Sequence, residues 1–407
     1  MAHQGFSTVV EQCFDVGHSL ATLSEDVSSV DVSTIGAEPV AAIIQSAIVS
    51  VVDRTPSTGK QLSQGALDIC WEKLNSGYWR DVSVLWRQLY TYSSISMALS
   101  LAAEGLLKES LKTCDVGLLM GAPVPGNHLH RLAAILTNRL RETSVSDSLP
   151  NDKLPCGPDF QCGGLPIERV QCPSLLMFEE KYMRQKVPVI ITDATNHWPA
   201  LSSRPWSLAY LKQAAGDRTV PIEVGARYTD QTWSQALMTI NSFIDSISEA
   251  PSEEVAGKSS THYLAQHQLF EQLPELRSDI CVPDYCCLSE SDDTEPVVNA
   301  WIGPCGTVSP LHHDPYHNVF AQVVGKKLIR LYSSAHSDLL YPHDSAMMHN
   351  TSQVDCENPD LQRFPKFAEA PFWECVVQPG DLLYIPPKFW HYVRSLSVSF
   401  SVSFWWT

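Results

Sequence analysis

The sequence predicts an α+β chain, a helical N-terminal domain followed by a sandwich or barrel of short strands. Two observations carry that expectation. Between residues 79 and 142 apolar side chains recur at helical spacing: Val82, Leu85, Trp86 and Leu89 stand at i, i+3, i+4 and i+7, and further Leu and Ala follow from Ile95 to Met120. Beyond residue 165 the apolar residues come instead in short runs broken by turn formers, the pattern of many strands with few helices between them.

A chain of 407 residues, 44% of them hydrophobic, can bury a large core and should divide into about two domains. The helical part is read as residues 1–145, a linker as 146–164 and the strand-rich part as 165–407. The linker follows from "SVSDSLPNDKLPCGPDFQCGG" (144–164), whose Ser, Asp, Pro and Gly can neither hold a helix nor bury much surface. A second loop-like insertion, "SEAPSEEVAGKSS" (248–260), reads as acidic surface. The helical domain shows core stripes and no chemistry.

Composition also excludes functions. No segment approaches the roughly 20 apolar residues of a membrane helix; the run from Val40 to Val52 is short and interrupted by Gln45 and Ser46. The N-terminus lacks the basic and then apolar start of a signal peptide, so a nuclear or cytoplasmic protein is expected. A formal charge of −17 argues against phosphate-backbone binding and is permissive for a basic peptide partner. The 12 cysteines are scattered and never spaced C-x-x-C, so reduced, packed thiols are expected.

The strand candidates are "VPVIIT" (187–192), "TVPIEVG" (219–225), "VVNAWIG" (297–303), "NVFAQVVGKKLIRLY" (318–332), "CVVQPGDLLYIP" (375–386) and "SVSFSVSFWW" (397–406). In the last, Val398, Phe400, Val402 and Phe404 alternate with serines, the period of a strand with one buried face. Pro379-Gly380 has the sequence of a type II turn.

"SPLHHDPYHN" (309–318) holds the densest chemistry. In an extended segment His312 and Asp314 point the same way and can share one ion. Composition alone yields about one such H-x-D pair by chance, and His336-Ser337-Asp338 is a second. A site with two imidazoles and one carboxylate on one side of a metal needs a further histidine from a neighbouring strand. His391 is the candidate, delivered by the rigid Pro386-Pro387 loop of "QPGDLLYIPPKFWHYV". Downstream of His312, Lys327 shares a strand face with Ile329 and Leu331 and is forced inward, where an incoming carboxylate would partner it. The pair at His336 has Thr351, not a lysine, at the corresponding distance and is set aside.

Taken together, "SPLHHDPYHN", Lys327, "PGDLLYIPPKFWHYV" and "SFSVSFWW" resemble the Jumonji-C family of Fe(II)- and 2-oxoglutarate-dependent oxygenases over about 165–407. Ser309 lies three residues before His312, Asn318 four after Asp314 and Lys327 fifteen after His312, as in the family. His313, Tyr316 and His317 depart from it, being bulkier or more basic than expected. The resemblance implies a double-stranded β-helix of the cupin type, with iron bound by His312, Asp314 and His391. It implies that Lys327 and Tyr263 grip the far carboxylate of 2-oxoglutarate, with Asn318, Ser309 and Trp405 as further cosubstrate contacts. The cofactors it implies are Fe(II), 2-oxoglutarate and O2, consumed in oxidising an unactivated C–H with release of succinate and CO2.

Which C–H is oxidised depends on the substrate pocket. On "TVPIEVG", Val220, Ile222 and Val224 share one face and Glu223 takes the other, with Trp233 one short loop away. The resemblance places Glu223 and Trp233 in an arginine-recognition pocket with Trp301 and Tyr228. A carboxylate between flat aromatic walls suits a guanidinium, whereas methyl-lysine prefers an aromatic cage. The expected activity is therefore hydroxylation of an arginine side-chain carbon, C3 first, in a protein or peptide substrate. The alternatives are demethylation of methyl-lysine in histones or other chromatin proteins, or a noncatalytic scaffold; a zinc peptidase fits poorly, since no general-base glutamate is evident. A nuclear location and chromatin partners rest on the resemblance alone, and no direct nucleic-acid or membrane binding is expected.

Overall fold

Apolar periodicity builds the first unit from α1 (Leu20–Ser29), α2 (Glu38–Val52), α3 (Pro56–Leu74), α4 (Val84–Ala103), α5 (Leu107–Met120) and α6 (His128–Thr143). The computed structural model describes residues 20–143, 160, 162–230, 232–248, 261–289 and 295–407. Most of the expected linker and the insertion after Ser248 lie outside these residues. Helix α4 is central: every residue from Leu89 to Ala103 is buried, and α2, α3 and α5 pack on it. Its serines cost little there, because Ser93, Ser94 and Ser100 each donate to the carbonyl four residues earlier. Val82 precedes the helix; Ser83 caps its start by accepting from the Leu85 amide. None of the helices described is long and apolar enough to cross a membrane.

The described residues divide into two compact units, the helical one also taking in Ala215–Thr219. The second is built from β1 (Leu165–Pro166), β2 (Glu168–Gln171), β3 (Val189–Thr192), β4 (Thr219–Val224), β5 (Ser234–Thr239), β6 (His262–His267) and β7 (Val297–Gly303). It continues with β8 (Val308–His313), β9 (His317–Val324), β10 (Lys327–Tyr332), β11 (Trp373–Val377), β12 (Leu382–Ile385), β13 (Trp390–Ser395) and β14 (Ser399–Trp406). One sheet runs β1-β11-β10-β13-β8, the other β2-β3-β12-β9-β14-β7-β6-β4-β5. Ile329, Leu331, Val377 and Val393 of the first meet Ile190, Phe320, Leu383 and Ile385 of the second in one core, a two-layered cupin architecture.

Two turns set the register. Asp381 N donates to Gln378 O at 3.0 Å, with Gly380 at φ +94°, the type II turn expected at Pro379-Gly380. Gly325, at φ +73°, turns β9 into β10, and a Cβ there would overlap the carbonyl oxygen of Val398.

Strand β14 differs from expectation: all eight of its residues are buried, not one face. Phe404 meets Trp198 edge-on and Phe400 stacks on Trp206. The serines belong to the other face, where Ser401 donates to Gln322 Oε1 and Ser403 accepts from Trp301 Nε1. Alternation with a small polar residue signals exposure only when that residue finds no partner inside, and here each serine does. The described cysteines are free thiols, the adjacent Cys286 and Cys287 among them.

Candidate active site

Antiparallel pairing of β8 with β13 sets His312 directly opposite His391. Their rings lie 4.2 Å apart between centroids, and Asp314, one residue past the end of β8, completes the group. Asp314 Oδ2 is 3.9 Å from His312 Nε2 and 3.6 Å from His391 Nε2. One ligand atom from each residue fits within 4.8 Å of the others, the compass of a single metal ion. His312 Nδ1 bonds the carbonyl of Pro310 at 2.7 Å and His391 Nδ1 that of Phe389 at 3.1 Å. Each ring is thereby turned so that Nε2 faces the site. Burial, and then the neighbouring His312, push His391 down to about 4, which keeps it neutral and able to ligate. Among the described residues Asp314 Oδ2 is buried without a hydrogen-bond partner, as an oxygen awaiting a cation would be.

From the triad a cavity of about 350 Å³ runs between the sheets, lined by Tyr263, Trp301, Ser309, Asn318, Phe320, Lys327 and Trp405 along with His312 and His391. Lys327 is 1% exposed and has no carboxylate partner among the described residues. Its Nζ lies 3.3 Å from Tyr263 Oη and 5.5 Å from the centroids of the Tyr263 and Phe320 rings. Burial lowers its pKa to about 7 and raises that of Tyr263. An unpaired ammonium beside a phenol, at the far end of a cavity that starts at a metal triad, has the donor set for a carboxylate. Asn318 Oδ1 and Trp405 Nε1 also have no hydrogen-bond partner among the described residues.

The remaining candidates are placed less uniformly. Trp301 lies in the cavity, its Nε1 donating to Ser403 Oγ at 2.9 Å. Glu223 and Trp233 are outside the lining. Glu223 is opposite Tyr263 in the β4–β6 register, half-buried, and accepts from Trp233 Nε1 at 3.2 Å. Burial raises its carboxyl, the Trp233 bond partly offsetting this, and no cation pairs with it among the described residues. Tyr228 approaches the His312 ring edge-on at 6.5 Å and shares a 3.1 Å bond with Thr351.

The departures from the family pattern are absorbed by packing: Tyr316 stacks on Trp405, His317 bonds Tyr384 Oη at 2.8 Å, and His313 meets Trp390 edge-on. Sequence reading missed Phe320, although it shares a strand face with Asn318 and period two would have found it. It also missed Arg227, whose Nη2 lies 2.9 Å from Asp355 Oδ2 and ties the loop carrying Tyr228 to the segment carrying Thr351. No local pattern marks that long-range pair.

Comparison with known proteins finds two family models, one after the other along the chain. Residues 174–407 match the model of the cupin-like domain, and residues 42–149 that of the KDM8-like, N-terminal ARM repeats. Lysine-specific demethylase 8 of Danio rerio is 48% identical over 357 residues, covering 85% of this chain and 87% of the relative. Its namesake in Xenopus tropicalis is 42% identical over 400 residues (85% and 88%), and lysine-specific demethylase JMJ30 of Arabidopsis thaliana 41% over 374 residues (85% and 85%).

Proposed function

The chain belongs to the Jumonji-C family of Fe(II)- and 2-oxoglutarate-dependent oxygenases, in its lysine-demethylase-8-like branch, and from that premise we propose that it hydroxylates an arginine side-chain carbon, C3 first, in a protein substrate. When bound, the ferrous ion and 2-oxoglutarate supply activation of O2 coupled to oxidative decarboxylation. His312, Asp314 and His391 would hold the metal on one side. Lys327 and Tyr263 would take the distal carboxylate, the ammonium gaining a counter-charge, and the aromatic walls at Phe320 and Trp301 would keep water from competing.

One observation carries the choice of arginine. Glu223 is a half-buried carboxylate, without a cation partner among the described residues, held against an indole. A guanidinium can donate two parallel N–H bonds to that carboxylate and stack on the ring. A second reading has its own support: the relatives' names point to removal of methyl groups from lysine, and the comparisons favour it over arginine hydroxylation. Both outcomes need the same site, so products decide between them. Peptides containing arginine or methyl-lysine are turned over and fragmented in a mass spectrometer. One added oxygen on arginine supports hydroxylation; loss of a methyl group with formaldehyde release supports demethylation and sinks the arginine assignment. Nuclear location belongs to the same proposal and is checked by imaging a tagged chain.

A further inference from the structure

We propose that Asn350 is a positioning residue for the metal triad. Strand β8, which carries His312 and leads into Asp314, is the outermost strand of its sheet, so one side of its backbone has no strand partner among the described residues. Residues 350–352 fill that side. Ser352 N donates to Leu311 O at 2.8 Å, Thr351 forms a bridge with His312, and His313 N donates to Asn350 O at 2.9 Å. Asn350 then adds what another strand residue could not: its side-chain Nδ2 donates to His313 O at 3.0 Å.

Both main-chain groups of the one residue between two triad members are thus held by a single asparagine. The backbone dihedrals of His313 decide where the Asp314 carboxylate lies relative to the His312 ring, so a slack residue 313 is a slack ligand pair. Beyond it the Lys388 amide donates to the Asp314 carbonyl at 2.7 Å, so the Asn350 bonds close the other end of a short, doubly anchored segment. Neither bond involves an imidazole or carboxylate of the triad, and Asn350 acts only through backbone geometry.

Partners that orient metal ligands are typically worth about 10- to 100-fold in metal affinity, and an indirect one belongs at the lower end. The test uses the full chain with Co(II) alone, under anaerobic conditions and without cosubstrate. Asn350→Ala should raise the Co(II) dissociation constant about tenfold and alter the visible Co(II) absorption bands. Gln353→Ala, which removes the exposed Gln353 bond to Pro342 O in the same segment, should leave both within about twofold. Asn350→Ala within about twofold of the parent, or both variants weakened alike, overturns the proposal. Should Asn350→Ala not fold, Asn350→Ser is measured in its place, and hydrogen exchange across 311–314 of the parent supplies a second reading: fast exchange of the His313 amide would overturn the assignment.

Discussion

At the triad end of the cavity each imidazole is braced by a main-chain carbonyl, whereas at the other end the hydrogen-bond partner of Lys327 among the described residues is one phenol. The metal end is preset by strand register, since His312 and His391 are cross-strand partners whatever is bound. The lysine end holds an uncompensated charge in an apolar wall, an arrangement that favours the occupied state by making the empty one costly. Geometry is invested in one place and electrostatics in the other. Substitutions should therefore fail differently at the two ends.

The largest effect is expected at the preset end. Asp314→Ala and His312→Ala should abolish oxidation and the visible band that anaerobic Fe(II) with 2-oxoglutarate gives; parent-like turnover in the Asp314 variant would remove that end of the comparison altogether. At the other end, Lys327→Ala should keep the metal but raise the 2-oxoglutarate requirement by about 2 kcal/mol, roughly thirtyfold. An unchanged requirement would mean that Lys326 or another group meets the carboxylate.

The buried ammonium also makes a prediction about pH. Its pKa falls from 10.5 to about 7 on folding, so between those values the unfolded chain binds the proton and the folded chain does not. Stability of the cofactor-free protein should rise with pH across that window, be flat below it with the full cost present, and lose this slope in Lys327→Met. A dicarboxylate paired with Lys327 would recharge the lysine, so affinity should weaken as pH climbs above 7 in the parent alone. Denaturant unfolding and anaerobic titrations over a pH series check both.

Smaller effects sharpen the contrast at the flanks. Glu223→Gln should raise KM for an arginine peptide about tenfold with less change in kcat, the order of one charged hydrogen bond. A change confined to the cosubstrate KM would reassign Glu223 to the lysine end. Smallest of all, Ser403→Ala strands the Trp301 indole N–H and should cost about 1 kcal/mol of stability, read as a lower melting temperature with the metal affinity intact.

How much of this was legible in the sequence follows from which physics is local. His312 with Asp314, the inward turn of Lys327, and Gly380 as a turn residue are consequences of period two and of φ, readable within a few positions. The helical unit announced itself by its 3.6-residue period, although not by the total burial of α4, which depends on neighbours on every side. The inner face of β14 misled because serine looks solvated until Gln322 and Trp301 arrive from β9 and β7. Glu223 and Trp233 lie beside the cavity and not in its lining, a distinction that depends on how β4 pairs with β6 and that spacing does not encode. The contacts of the 350–355 segment with β8 and with Arg227 were unreadable for a further reason. Its bonds to β8 are largely main-chain, and its ion pair spans 128 positions of sequence.

Gly325 has a consequence for interpreting variants. It lies outside the cavity lining and carries no chemistry, yet any side chain there collides with the carbonyl of Val398 and must shift the hairpin from which Lys327 emerges two residues later. A missense change at that codon would present biochemically as a starved enzyme, answering to extra 2-oxoglutarate, and a screen sorting mutants by phenotype would file it among lesions of the binding pocket.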